Sequence, residues 1–177
     1  MENLSVATFG GGCFWCIEAV IQRLNGVVSL TSGFSGGFIK NPPYREVCTG
    51  RTGHAEVIQV SFNPDIISYH DLIFIFMTSH DPTTLNRQGA DVGTQYRSII
   101  LYHDAEQKAI VEQVFEEVKP FYEDPIVTEL TAFEVFYNAE EDHQNYYNNN
   151  QEARYCQILI DPKIQKLKKK YADRVIN

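Results

Sequence analysis

Residues 4–34 read LSVATFGGGCFWCIEAVIQRLNGVVSLTSGF. Leu4 to Phe9 is an apolar run of strand length, and after Gly10-Gly11-Gly12 the positions Phe14, Ile17, Ala19, Val20, Ile21 and Leu24 recur with helical spacing until Asn25-Gly26 closes them. Cys13 therefore stands in the first turn of a helix. Val27 to Phe34 returns as a strand, and Ala55 to Phe62 alternates before the Asn63-Pro64 turn as another. Ser68 and Asp71 bracket a helix start leading through Leu72 to Met77, Ser98 to Tyr102 reads as a buried strand, and Asp104 opens an amphipathic helix to about Phe121. The order strand, helix, strand, strand, helix, strand is that of an α+β, ferredoxin-like two-layer sandwich, with helices on one face of a mixed, mostly antiparallel sheet. One further strand near Val127 to Val135, the polar segment Glu140 to Tyr155 and a terminal helix form a C-terminal extension. The loops Gly36 to Gly53 and Thr78 to Tyr96 exceed the roughly 12–15 residues of a plain connector, which marks them as functional.

The chain has 177 residues, 44% of them apolar, so a single catalytic domain over 1–177 with one core is expected. Acidic residues outnumber basic ones 23 to 15, a net charge of −8, which argues against a nucleic-acid surface and against a polybasic membrane patch. The basic run Lys168 to Lys170 reads as the wet face of the terminal helix. The longest apolar run, Leu72 to Met77, is far below the roughly 18 residues of a spanning helix. Residues 1–12 lack the features of a secretory signal, so a cytoplasmic location with reduced cysteines is expected.

Unpaired N–H groups and the helix dipole at a helix start favour a thiolate at Cys13, and the glycines before it let a substrate come close. Cys13-Phe14-Trp15-Cys16 is also a C-x-x-C dithiol, open to three readings: a thioredoxin-like pair, half a zinc site, or a nucleophile with a spare thiol. Zinc is the weakest of these, because Cys48 and Cys156 stand alone and the five histidines form no H-x₃₋₅-H pair. Neither a metal nor a cofactor is expected.

At Gly11-Gly12-Cys13-Phe14-Trp15 the chain resembles the peptide methionine sulfoxide reductase A family. The resemblance continues through Tyr44-Arg45-Glu46-Val47-Cys48-Thr49-Gly50, Gly53-His54-Ala55-Glu56-Val57, His80-Asp81-Pro82-Thr83 and the run from Asn86 to Ser98. It ends with Phe136-Tyr137, Ala139-Glu140, His143-Gln144 and Tyr155-Cys156-Gln157. It implies reduction of the S epimer of methionine sulfoxide, free or in peptides, with Cys13 as the nucleophile that becomes a sulfenic acid. By the same resemblance Glu56, Tyr44 and Tyr96 are donors to the departing oxygen, and Phe14, Trp15, Asp91 and His143 line the substrate site. Glu56 can donate only when protonated, so burial is expected to raise its pKa. Cys156 is the preferred resolving thiol and Cys48 structural; Cys16, where the family's commonest pattern has glycine, lies on the same helix face as Cys13 and is open to two readings, a second resolving or shuttle thiol or a passive small residue. Thioredoxin is the implied reductant, oxidised proteins or free methionine sulfoxide the substrate, and a monomer the expected state. His80 is expected to support its loop.

Overall fold

In the computed structural model, which describes residues 3–176, the opening segment folds as its periodicity predicts. Ser5–Gly10 forms β1, Phe14–Ile21 forms α1 and Val27–Ser35 forms β2. One helical turn, Tyr44–Val47 (α2), interrupts the long loop before Ala55–Phe62 (β3). Tyr69–Met77 (α3) starts where expected, with the Ser68 hydroxyl oxygen accepting from the Asp71 N–H at 3.0 Å. The second long loop holds a small hairpin, Arg87–Gln88 (β4) with Asp91–Val92 (β5). Ile99–Tyr102 (β6) and Ala105–Val118 (α4) follow, the latter capped by Asp104 through the Gln107 N–H at 2.8 Å. Glu129–Ala132 (β7), Phe136–Asn138 (β8), Tyr146–Asn149 (α5), a π-helical turn at Cys156–Ile160 and Asp161–Lys170 (α6) complete the chain. Lys168, Lys169 and Lys170 are exposed, as the wet face of a terminal helix must be.

The main sheet runs β7-β6-β1-β3-β2-β8, antiparallel throughout except for the parallel pair β6 and β7. The strand expected near Val127 to Val135 forms as β7, and a further one that was not expected, β8, follows it on the opposite edge. Only residues 133–135 separate them, a span of about 14 Å when fully extended, whereas a flat sheet of this many strands measures roughly 24 Å across. The sheet must therefore curl until its edges approach. Phe133 and Phe136 close the inside of the curl over Ala55, Val57, Ile99 and Leu101, a second small core. On the outside, the larger core joins Phe9 and Ile58 of the central strands to helical residues including Ile17, Leu72 and Val114. Phe9 and Phe76 meet there with ring centroids 4.5 Å apart. Both faces are thus covered, which explains why β3 is almost wholly buried along its length.

The site is set by the close approach of β1 to β3. A side chain at Gly10 would come within 2.2 Å of the Glu56 carbonyl oxygen, so only glycine lets the strands approach here and lets the chain swing out to Cys13.

The C-terminal segment is pinned back on α3 and α4. Arg174 contacts Asp71 at 2.6 Å, and His70 bridges Asp71 at 3.0 Å and Glu117 at 2.6 Å. The hydrogen bond to Asp71, then Glu117, raises the His70 pKa, while Asp71 and Glu117 are held low. A raised histidine stabilises the fold below its unfolded pKa and ceases to do so as pH climbs through the folded one. His70→Gln is therefore expected to lower the melting temperature by about 1–2 °C between roughly pH 4.5 and 6.5. That difference fades at higher pH, and calorimetry of both proteins across pH 4.5–9 checks it.

Candidate active site

Cys13 occupies the N-cap position of α1 with an extended backbone (φ −66°, ψ 129°), and only 7% of it is exposed. Its carbonyl accepts the Cys16 N–H at 3.1 Å, which closes the first turn and places the two thiols close enough to shift each other's pKa. The Tyr155 hydroxyl lies 3.7 Å from Cys16 Sγ. The pair shares a proton unequally. Cys16 is pulled down to about 6, first by the hydrogen bond from Cys13 and then by Lys163 and Tyr155, while the Cys13 thiol is held up by that same bond and by burial. The two thiols are coupled, Cys16 raising Cys13 and Cys13 lowering Cys16, so the pair is suited to carry one negative charge at the helix start where a thiolate was expected.

Glu56 extends from the start of β3 toward the same helix end and is wholly buried. Its Oε1 accepts the Phe14 N–H at 3.1 Å, whereas Oε2 has no hydrogen-bond partner among the described residues. Burial outweighs that bond and pushes the carboxyl up to about 8. Glu56 is accordingly protonated at neutral pH, as expected, and the proton belongs on the oxygen with no N–H to accept. Tyr44 and Tyr96 have hydroxyls raised above the ordinary phenol range, mainly by burial and then by Glu56, so both remain donors. Asp91 on β5 is raised by burial and opposed by Lys163. The Tyr96 carbonyl accepts the Gly12 N–H at 3.1 Å and ties its loop to the turn before Cys13.

Aromatic rings form the other wall. Phe14 is buried between Phe34 (5.7 Å between centroids), His143 (5.8 Å) and Tyr44 (6.0 Å). Trp15 stacks flat on Tyr146 at 3.7 Å, meets the edge of Tyr155 at 5.6 Å, and donates from Nε1 to His143 Nδ1 at 3.2 Å. That bond puts the proton of a neutral His143 on Nε2, which faces Glu140 at 3.6 Å. Glu140, Asp142 and His143 are the one group among the described residues able to bring three ligand atoms together for a cation; two are exposed, and His143 Nδ1 is already engaged. A cleft of about 520 Å³ opens beside His80 and Lys163, but Cys13 is not in its walls.

Comparison with known proteins agrees with this arrangement. The family model for peptide methionine sulfoxide reductase matches residues 5–175. The chain belongs to the peptide methionine sulfoxide reductase family. It is 54% identical to the peptide methionine sulfoxide reductase MsrA of Saccharolobus solfataricus over 172 residues, 97% of each protein. Among solved structures it resembles reduced Mxr1 from Saccharomyces cerevisiae, with a TM-score of 0.82, 36% identity, and coverage of 87% of this chain and 90% of that one. It also resembles Mxr1 in complex with Trx2, with a TM-score of 0.59, 28% identity, and coverage of 81% and 85%.

In this reductase the long loops and the C-terminal extension bring Tyr44, Asp91, Tyr96 and His143 to the helix end that carries Cys13, Phe14, Trp15 and Cys16. Cys156 is fully buried in the π-helical turn, close enough for the Cys16 charge to raise it. Cys48 is half-buried beside the Tyr44 hydroxyl. His80 sits under the glycine turn: a side chain at Gly11 would come within 2.6 Å of its ring, and both its nitrogens are bonded, to the Phe76 carbonyl at 2.8 Å and to Ser98 at 2.7 Å. Burial lowers it to about 4, so it supports its loop as a neutral ring. Sequence reasoning missed Tyr146, Tyr155 and Lys163; the polar segment gave no periodic signal, and only the aromatic content of Tyr146-Tyr147 and Tyr155 hinted at packing.

With the acid form of Glu56 as the donor that the resemblance implies, and its pKa raised, activity is expected to fall as pH rises through about 8. Glu56→Gln keeps the shape but cannot transfer a proton. It is expected to lose the fall near pH 8 and to lower the single-turnover rate about a hundredfold, measured as methionine formed per enzyme from pH 6 to 10.

Proposed function

We propose that this reductase converts the S epimer of methionine sulfoxide, peptide-bound or free, to methionine through attack by Cys13, with Glu56 as the proton donor. The observation that carries the reading is the Glu56 carboxyl, buried and protonated at neutral pH, with one oxygen on the Phe14 N–H and the other without a protein partner. That bare oxygen is suited to the sulfoxide oxygen, and the Tyr44 and Tyr96 hydroxyls add donors around it. Phe14 and Trp15 offer the apolar surface that the substrate methyl group needs. With donors on one side and rings on the other, the pocket distinguishes the arrangements at a chiral sulfur, because the opposite epimer turns its oxygen toward the rings.

The Cys13 proton passes to the Cys16 thiolate, and Cys13 Sγ bonds to the substrate sulfur as the oxygen takes the Glu56 proton. The oxygen ends on Cys13 as a sulfenic acid, and methionine leaves with two electrons gained. A thiol then attacks the sulfenic sulfur, water departs and a disulfide forms. The resemblance and the polar, Asn-rich segment before Cys156 favour it over Cys16, whereas the place of Cys16 in the same helical turn as Cys13 supports an earlier step for it. In our reading Cys16 captures Cys13 first, and Cys156 takes over by thiol–disulfide exchange as the segment before it swings. A thioredoxin dithiol completes the cycle, a step supported by the Mxr1 complex with Trx2. Such an enzyme repairs oxidised proteins.

The order β6-β1-β3-β2, with helices after β1 and β3, supports a ferredoxin-like two-layer core to which the curled edge strands are added. We read residues 1–177 as one catalytic domain that works as a monomer, since a single chain supplies every group in the site. The four free cysteines fit the reducing cytoplasm. No helix among the described residues is long and apolar enough to cross a membrane.

Single-turnover assays with each epimer test the reading: methionine is expected from wild type with the S epimer, none from Cys13→Ser, and none with the R epimer. Methionine from Cys13→Ser at the wild-type rate would end it. Mass spectrometry without reductant tests the thiol order. Cys156→Ser is expected to accumulate a Cys13–Cys16 bridge, and a Cys13–Cys156 bridge that forms as fast in Cys16→Ser as in wild type would exclude Cys16.

A further inference from the structure

The helix that presents Cys13 also carries a buried carboxyl that the proposed chemistry does not use. Glu18 is 1% exposed. Its Oε2 accepts the Ser32 hydroxyl of β2 at 2.9 Å, and its Oε1 accepts the backbone N–H of Tyr146 at 2.9 Å. Burial raises its pKa, and the hydrogen bonds from Asn145, Ser32 and Tyr146 pull the other way. A buried acid without a basic partner is destabilising unless its lone pairs are filled, so the significance of Glu18 lies in what it holds.

Tyr146 lies flat on Trp15, 3.7 Å away and 8° from parallel. The chain enters this position through Asn145 in the left-handed region (φ 52°), and the residue before it is fixed as well. Gln144 accepts the Ser32 N–H and donates to the Ser32 carbonyl, both at 2.8 Å. Residues 144–146 are therefore bonded to β2 and α1 by side chains alone, and the segment from Asn148 to Cys156 hangs from that point.

We infer that Glu18 is a positioning residue of the substrate site: by holding the Tyr146 backbone it keeps the Tyr146 ring on Trp15, sets the apolar wall that receives the sulfoxide methyl group, and roots the segment that carries Cys156. The inference rests on the reading of Trp15 as that wall. It concerns a contact that exists before any substrate binds.

Trp15 is the only tryptophan in the sequence, so its emission reports the contact directly. In Glu18→Ala the freed indole is expected to emit more strongly and further to the red. KM for methionine sulfoxide is expected to rise about tenfold, the size of one lost buried hydrogen bond, while the single-turnover rate at saturation falls by less. Glu18→Gln restores both, because its amide oxygen accepts the Tyr146 N–H and its NH₂ donates to Ser32 Oγ. Tyr146→Ala reproduces the emission change, and adding Glu18→Ala to it changes nothing further. Unchanged emission in folded Glu18→Ala, a Glu18→Gln as defective as the alanine variant, or additive effects with Tyr146→Ala would each overturn the assignment. If Glu18→Ala does not fold, Glu18→Asp serves, since a side chain one methylene shorter cannot reach both partners; wild-type emission there overturns it equally. Emission is read without turnover, so failure of the Cys13 chemistry would abolish methionine release in every protein, wild type included, and leave the emission differences in place.

Discussion

Two oxygens of one carboxyl group organise this molecule. Glu56 Oε1 takes the first backbone N–H of α1 and so fixes where the helix of the nucleophile begins, while Oε2 is left without a partner in a dry site. A buried polar atom with nothing to bond costs on the order of 1–3 kcal/mol, and the fold bears that cost at the point where a substrate oxygen would relieve it. Much else follows from the position of this group. β3 must be central and covered on both faces for Glu56 to be dry, Gly10 must be a glycine for β1 to lie against it, and the sheet must curl for Phe133 and Phe136 to seal the far side.

The thiol pair is the electrostatic counterpart of that carboxyl. A helix start stabilises one negative charge, and placing Cys16 in the same first turn gives that charge a choice of two sulfurs. Tyr155 and Lys163 favour that charge on Cys16, and each thiol shifts the other. The same contact makes Cys16 the nearest sulfur once Cys13 has been oxidised.

Much of the fold was legible in the sequence wherever the signal was local. The strand, glycine triplet and helix of residues 4–24, the strand Ala55 to Phe62, and the caps at Ser68 and Asp104 all rest on contacts between near neighbours in the chain, and they form as read. The division of 127–138 between opposite sheet edges was not legible, because it depends on the curl of the whole sheet and no residue in that stretch encodes it. The site divided in the same way. Cys13, Cys16, Phe14 and Trp15 were readable from their place on the helix; Glu56, Tyr44, Tyr96, Asp91 and His143 were nameable only by resemblance, since an acid at a strand start and tyrosines in loops carry no signature of their own. Glu18 went unremarked because an acid on a helix is ordinarily solvated, and its burial arises from β2 and α5, far away in sequence.

The segment between Tyr146 and Cys156 has opposite requirements at its two ends, and the structure meets them with different kinds of contact. At the first end, hydrogen bonds from Glu18 and Gln144 to the backbone fix direction and distance, as the wall of a pocket requires. At the other end Tyr155 meets Trp15 edge-on and touches Cys16 through one long contact, while Cys156 is wholly buried in a π-helical turn, a form frequent at functional sites. Between them Asn148, Asn149, Gln151 and Glu152 are exposed and bury little that would resist movement. A fixed root, an exposed middle and a buried cysteine at the tip suit a segment that covers a pocket while the enzyme is reduced and must move to deliver its sulfur. Where Cys16 captures the oxidised Cys13, the thiol that Tyr155 rests against is consumed, so the event that calls for Cys156 also loosens a contact beside it.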